Sequence, residues 1–147
     1  MNRLLVTCFF LNLSGCATVP TDHFTTPVSV ELGNSLAADT IKQLQSLYPP
    51  AHTTFNLGQP VPKTDNFGTS LVLKLREKGY AMQTYDATQS KLALDGLSIL
   101  YTVDKPISSG FAGLYRVQLT VEKTILTRAY TASNNTAIPA GAWAKME

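Results

Sequence analysis

Two segments of the chain carry apolar residues at intervals of three or four, the spacing that places side chains on one face of an α-helix. In residues 36–48 the apolar stripe consists of Ala37, Ile41, Leu44 and Tyr48, and in residues 66–78 it consists of Phe67, Leu71, Val72 and Leu75. Ser35 and Asp65 stand where N-caps are expected, and Pro49 and Gly79 stand where helices end. The pattern predicts two amphipathic helices.

Other segments alternate apolar and polar residues, or are rich in strand-forming residues, and are predicted as β-strands. They are residues 28–32, 53–57, 80–85, 97–103, 115–121 and 125–131. A turn is predicted at 33–35, a proline-containing loop at 58–64, and a tight connection at 122–124 that pairs the last two strands. The order of elements predicts an α+β fold, a small two-layer sandwich with two helices packed on a mixed, mostly antiparallel sheet.

The first 15 residues have a different pattern, with one positive charge followed by an apolar block and then small residues. Arg3 is the only charged residue before Asp22, and residues 4–11 are mostly apolar. This arrangement is typical of a secretory signal peptide. The apolar block is shorter than the roughly 20 residues needed to cross a bilayer. We therefore predict that residues 1–15 are a signal peptide that is removed.

The end of this segment, Leu13, Ser14, Gly15 and Cys16, is a lipobox. The first three residues are predicted to be recognised by the signal peptidase, and the Cys16 thiol is predicted to receive diacylglycerol and the new N-terminus an acyl chain such as palmitate. The alternative is an ordinary signal peptide with a chance cysteine near its end. Ala17, rather than an aspartate, follows the cysteine and favours lipid anchoring at the periplasmic face of the outer membrane.

The predicted mature chain divides into three parts. Residues 16–27 are rich in Thr and Pro and are predicted as a lipidated tether, which could also become ordered against a partner. Residues 28–133 contain the predicted helices and strands of a globular domain. Residues 134–147 are small and polar apart from Ile138 and Trp143, and are predicted as a C-terminal tail.

Composition narrows the range of partners and chemistry. Without Arg3, the twelve Lys and Arg become eleven, against ten Asp and Glu. This near-neutral balance without a basic patch argues against direct nucleic-acid binding. Cys8 lies in the predicted signal peptide, so Cys16 is the only cysteine that remains and no disulfide is expected.

Residues that carry catalytic chemistry are sparse. His23 lies in the predicted tether and His52 follows a proline pair, and neither belongs to a pair with metal-ligand spacing. No glycine-rich phosphate-binding loop is present in the sequence. The sequence therefore predicts a protein that is not an enzyme, without catalytic residues, metal or cofactor beyond the covalent lipid on Cys16.

Four aromatic and arginine residues are candidates for a contact surface. Trp143, the only tryptophan, either docks on a neighbouring subunit or folds back on its own domain. Tyr115, Arg128 and Tyr130 lie on predicted strands, where they either stack at an interface or form a solvated strand face.

Several stretches of the chain resemble the TrbH family of lipoproteins in conjugative mating-pair formation. They are the lipobox, Leu47-Tyr48-Pro49-Pro50-Ala51, and residues 67–82, 114–121 and 126–130. The resemblance implies an outer-membrane component of a conjugative type IV secretion core, assembled as an oligomeric ring with larger core subunits. It also implies a domain similar to those in secretin N-terminal regions and in the lipoprotein DotD. The family offers no catalytic residues, and only Cys16 carries over from its motif.

Two other functions remain open on the sequence. One is a plasmid surface-exclusion lipoprotein, which blocks redundant mating. The other is a periplasmic lipoprotein that binds a ligand or peptidoglycan, or acts on it, and it would need a polar pocket with convergent side chains.

Overall fold

Two helices and seven strands make up the part of the chain that a computed structural model describes, residues 25–88, 95–106 and 113–147. The helices are α1 (Val30–Leu47) and α2 (Asn66–Glu77), and a single 3-10 turn spans Pro50–His52. The strands are β1 (Thr54–Leu57), β2 (Ala81–Gln83), β3 (Leu97–Asp104), β4 (Leu114–Val121), β5 (Thr124–Ser133), β6 (Thr136–Pro139) and β7 (Ala144–Met146). The predicted fold class, a small α+β sandwich, is confirmed.

The strands form one mixed sheet in the order β2-β1-β3-β4-β5-β6, with β7 also paired to β5. The pairs β1–β2 and β1–β3 are parallel, and the other pairs are antiparallel. β6 and β7 lie end to end along β5, since β6 pairs with residues 130–133 and β7 with residues 125–127. The sheet is therefore open, and β2 lies at one edge while β6 and β7 form the other.

The predicted strand at 28–32 and turn at 33–35 are wrong, because α1 begins at Val30 and continues through both. Ser29, rather than Ser35, caps the helix, and its Oγ accepts a hydrogen bond from the Leu32 amide at 3.2 Å. Gly33 is needed for close packing instead of a turn. A Cβ at Gly33 would lie 2.9 Å from the backbone carbon of Asn66, at the start of α2. The apparent alternation of Val28, Val30 and Leu32 therefore belongs to the entry into a helix.

The structure confirms the second predicted helix, with the predicted N-cap and the predicted glycine after its end. Asp65 caps it by accepting a hydrogen bond from the Gly68 amide at 2.8 Å. The helix ends at Glu77, and Gly79 follows with a φ of +86°, the left-handed conformation that favours glycine after a helix. Lys74 and Arg76 lie in the last turn, where positive charge suits the helix dipole.

The core lies between the two helices and the sheet. Alternate residues of the central strands are buried, as the alternation predicted: Ile99, Tyr101, Val103, Val117, Leu119 and Val121. From the helices, Leu36, Ile41 and Leu44 of α1 meet Phe67, Leu71 and Leu75 of α2 in the same cluster. This one core joins both helices to β1, β3, β4 and β5, and Met82 of β2 and Ala137 of β6 pack against it.

The segment 134–147 is more than the predicted tail, because it contributes β6 and β7 to the sheet. Residues 134 and 135 form a tight turn with positive φ angles of 49° and 59° at the two asparagines, which reverses the chain onto β5. The small polar residues of this segment do not alternate with apolar ones, so the sequence did not indicate strands. Their backbones nevertheless pair with β5, on the side of β5 that does not pair with β4. The strand predicted at 80–85 is also shorter, since β2 spans only Ala81–Gln83.

The chain enters the domain beside the carboxyl end of β3, where the Thr26 amide donates to the Val103 carbonyl at 2.7 Å. The predicted signal peptide at 1–15 and the predicted lipobox lie outside the described residues. The same holds for most of the predicted tether, of which only residues 25–27 are described.

Candidate interaction site

The candidate contact residue Tyr130 lies in the interior, where it joins a polar cluster between α1 and β5. Its hydroxyl donates to Asp39 Oδ2 at 2.8 Å, and Arg128 Nη1 donates to the same oxygen at 2.8 Å. Burial raises the pKa of Tyr130, and the hydrogen bond to the Asp39 carboxylate raises it further. Tyr130 is fully buried in the folded domain, and its role in contacting a partner stays a prediction.

Trp143 and Arg128 extend this cluster to the C-terminal segment. The Trp143 ring contacts the Tyr130 ring edge-on, with centroids 6.4 Å apart. Arg128 Nε donates to the Gly141 carbonyl at 2.7 Å. Of the two alternatives for Trp143, the structure shows the one in which it folds back on its own domain. We call Asp39, Arg128, Tyr130 and Trp143 the C-terminal latch, because together they hold the residues between β6 and β7 against the domain.

Tyr115 is the fourth candidate contact residue and also faces the core. It is only 8% exposed, and the Lys105 ammonium lies 4.9 Å from its ring centroid. This cation–π contact is intramolecular. The structure therefore engages all four candidate residues in contacts within the domain.

A second polar cluster, which the sequence did not reveal, lies beneath the start of α2. The Tyr101 hydroxyl donates to Asp65 Oδ2 at 2.6 Å, and the Tyr101 amide donates to Gln59 Oε1 at 3.0 Å. Burial raises the pKa of Tyr101, with the neighbouring Asp65 carboxylate adding to the effect. The sequence indicated Asp65 only as a helix cap, whereas its second oxygen also fixes the helix to β3.

Neither cluster has the composition of a metal centre. Within the described ranges, no group of three or more His, Cys, Asp and Glu side chains is placed to hold a metal ion. His52 lies exposed on the single 3-10 turn. The carboxylates of Asp39 and Asp65 are occupied by hydrogen bonds that join helices to strands.

Two surface grooves lie beside the residues that follow β1 and β2, within 58–61 and 84–87. A groove of about 580 Å³ lies on the sheet face away from the helices, and a second of about 460 Å³ lies between α2 and the sheet edge. We call them the open-face groove and the helix-face groove. Leu57, Thr84 and Tyr85 line both of them. The two grooves thus flank the same stretch of chain at the edge of the sheet.

A family model described as conjugal transfer protein TrbH matches residues 17–147. The chain belongs to the TrbH family. The resemblance drawn from the sequence is confirmed, and this TrbH family member is a component of conjugal transfer. The matched region includes all of the described residues, the C-terminal strands among them.

No curated protein and no solved structure matches this TrbH family chain. Neither of the two helices in the described ranges is long and apolar enough to cross a membrane.

Proposed function

We propose that this TrbH family chain is an outer-membrane lipoprotein with a structural, non-catalytic role in the core complex of a conjugative type IV secretion system. Its lipid on Cys16 would anchor it at the periplasmic face. Its folded domain would contact larger core subunits, in an arrangement repeated around a ring. The observation that carries the proposal is that the family match begins at residue 17, immediately after the lipobox cysteine.

The length of chain between the anchor and the domain supports a role close to the membrane. Eight residues lie between Cys16 and Thr25, the first described residue. Because a fully extended chain spans at most about 3.3–3.6 Å per residue, the domain stays within about 30 Å of the lipid. An anchor of this kind raises the effective concentration of the domain near its partners, so modest interfaces suffice for assembly.

The use of polar residues inside the domain supports a structural role. Asp39 and Asp65 each accept a tyrosine hydroxyl, and each bond joins a helix to a strand. These carboxylates therefore serve to hold elements together. An assembly protein needs such rigidity, because its contacts depend on the fixed position of surface elements.

The two cysteines of the chain offer a matched test. We expect Cys16→Ala to release the protein from the membrane fraction, or leave it unprocessed, and to abolish plasmid transfer from donor cells. Cys8→Ala, a change within the predicted signal peptide, is expected to leave both unchanged. Membrane fractionation, intact-mass measurement of the N-terminal peptide and mating assays provide the readouts. Normal transfer and normal core particles with Cys16→Ala would contradict the proposal.

Each variant is then expressed separately in donors and in recipients, which distinguishes the proposed structural role from surface exclusion. A structural component is required in the donor. An effect confined to the recipient would instead indicate an exclusion protein and would count against the structural role.

A further inference from the structure

The last segment of the chain, residues 134–147, is attached to the domain without belonging to its core. Only Ala137 and Trp143 of this segment are half-buried, and its other residues are exposed. The strand beneath it does not depend on it, because β5 pairs with β4 over eight residues and buries Leu126 and Tyr130 completely. We call residues 134–147 the C-terminal strap. The strap therefore covers the edge of a strand that the rest of the domain already holds in place.

The contacts that hold the strap define which segment fits the edge of β5. β6 and β7 pair with β5 along two short stretches. Between them, the Gly141 carbonyl accepts a hydrogen bond from Arg128 Nε at 2.7 Å, and the Trp143 ring contacts the Tyr130 ring. A segment that takes the place of the strap must therefore present a carbonyl group and, two residues later, an aromatic ring. The strap has this arrangement, and every further copy of the chain carries the same strap.

A turn of two asparagines connects the strap to β5. Asn134 and Asn135 both have positive φ angles, 49° and 59°. Hairpin turns of this kind favour glycine at the second position, because a residue with a Cβ is strained in the left-handed region. An extended conformation of these two residues relieves that strain and continues the chain in the direction of β5. The strap then points away from its own domain and toward a neighbouring molecule.

The distance between copies determines which β5 edge the strap occupies. In a single molecule the short turn gives the strap a high effective concentration at its own β5, and the structure shows that arrangement. In the proposed ring, the lipid anchor and the larger core subunits hold the copies side by side, which brings the β5 edge of the neighbour equally close. An identical segment forms identical contacts there, so the exchange loses no contact and relieves the strained turn.

We propose that, in the assembled complex, the C-terminal strap of each copy leaves its own β5 and pairs with β5 of the next copy. The partner at this surface is therefore a second copy of the same chain. Each copy donates one strap and accepts another, a head-to-tail arrangement that closes into a ring when the rotation between copies allows it. The inference rests on the proposed structural role, because that role brings the copies together.

Single cysteines on facing strands test the exchange directly. Thr131 of β5 and Ile138 of β6 are paired in register and both are exposed. The Cα spacing of such pairs, about 4.5–5.5 Å, suits a disulfide. Full-length Thr131→Cys with one epitope tag and Ile138→Cys with another are produced together in donor cells. We expect a mixed disulfide-linked dimer in the membrane complexes, and its absence would overturn the proposal.

A second pair of positions, within the hairpin of β4 and β5, provides the matched control. Gln118 and Thr127 face each other there, and that hairpin carries the buried residues of the core. Gln118→Cys and Thr127→Cys on separately tagged chains are expected to give no mixed dimer. Equal yields from the control pair and the strap pair would indicate random collisions between copies and would count against the exchange.

A disulfide within one chain provides a functional readout. Thr131→Cys and Ile138→Cys in the same chain lock the strap on its own β5 in an oxidising compartment. Because each contact between copies then loses several backbone hydrogen bonds, we expect plasmid transfer to fall about tenfold or more. Each single variant is expected to support normal transfer at equal amounts of protein. Normal transfer with every chain locked as a monomer on a non-reducing gel would overturn the proposal, whereas a ladder of linked copies would support it.

Comparison with a deletion of the gene separates the exchange from the proposed function. If the deletion abolishes transfer from donors and the strap pair gives no mixed dimer, the exchange is wrong and the structural role stands. If the deletion leaves donor transfer normal while the mixed dimer forms, the exchange stands and the proposed function is wrong.

Discussion

Two aspartate–tyrosine pairs join the helices to the sheet, and they differ in their surroundings. Tyr101 on β3 donates to Asp65 at 2.6 Å, and Tyr130 on β5 donates to Asp39 at 2.8 Å. Asp65 is buried and also caps α2, whereas the Asp39 side chain is 24% exposed and shared with Arg128. The same chemical pair is thus buried at the start of α2, where we call Asp65 and Tyr101 the α2 anchor. It is partly exposed to solvent in the C-terminal latch.

The difference shows how burial sets the cost of breaking one hydrogen bond. A buried carboxylate that loses a donor has no water to replace it, and this leaves the full desolvation cost. A partly exposed carboxylate keeps access to water and, here, to Arg128. We therefore expect the anchor to determine the stability of the whole domain and the latch to determine the attachment of its last strands.

The largest effect is expected from Gly68→Ala, which would break the anchor. A Cβ at Gly68 would lie 1.8 Å from the Tyr101 hydroxyl oxygen and 2.7 Å from Asp65 Oδ2. Displacement of both groups combines overpacking with a lost buried hydrogen bond, at a cost of about 3–5 kcal/mol of unfolding free energy. Urea unfolding measures it. Gly141→Ala is the control, since no atom lies within 4 Å of its added Cβ, and equal losses in the two variants would refute this account.

A smaller effect is expected when only the hydroxyls are removed. Tyr101→Phe leaves the buried Asp65 carboxylate without its donor and should cost about 2 kcal/mol, whereas Tyr130→Phe leaves Asp39 paired with Arg128 and should cost about 1 kcal/mol. Hydrogen exchange provides a second distinction. Tyr130→Phe should increase exchange mainly in residues 136–146, and uniform acceleration across the domain by both variants would contradict the contrast between anchor and latch.

The smallest effect is expected from alkaline pH and applies to both pairs. Burial raises the pKa of Tyr101 and Tyr130 in the folded state. Their contribution to stability is therefore complete well below the unfolded pKa of about 10 and is lost progressively as the pH rises through it, by about 0.4 kcal/mol per tyrosine at pH 10. Denaturation midpoints between pH 8 and pH 10 measure this loss. Each tyrosine-to-phenylalanine variant should show a shallower decline than the parent protein, and an unchanged slope would count against the buried hydroxyls as its cause.

The sequence predicted those elements whose signals are local. Helix α2 has a cap at Asp65, a buried stripe and a glycine after its end, and all three lie within its own segment. The strands β3, β4 and β5 alternate over eight or more residues each. The segment 28–32 was assigned wrongly because five residues of alternation also fit the first turn of a helix, where Val28 and Leu32 are both buried on one side.

The latch, the anchor and the grooves had no local signal. The partners in the anchor are 36 residues apart and those in the latch 91 residues apart. The grooves combine residues of α2, β1, β3 and the stretch after β2. No periodicity along the chain reports such distances, so only the folded structure shows the burial of Tyr130 and its hydrogen bond to Asp39.

By itself, the sequence of this TrbH family chain determined the type of its main elements and the α+β class, because periodicity and caps act over a few residues. Tertiary structure alone decided that 136–139 and 144–146 are strands, since short stretches of small residues become ordered only when β5 supplies their hydrogen-bond partners. It also decided how the C-terminal strap is held, since Ser35 reaches the Ala137 amide only because α1 packs beside β6.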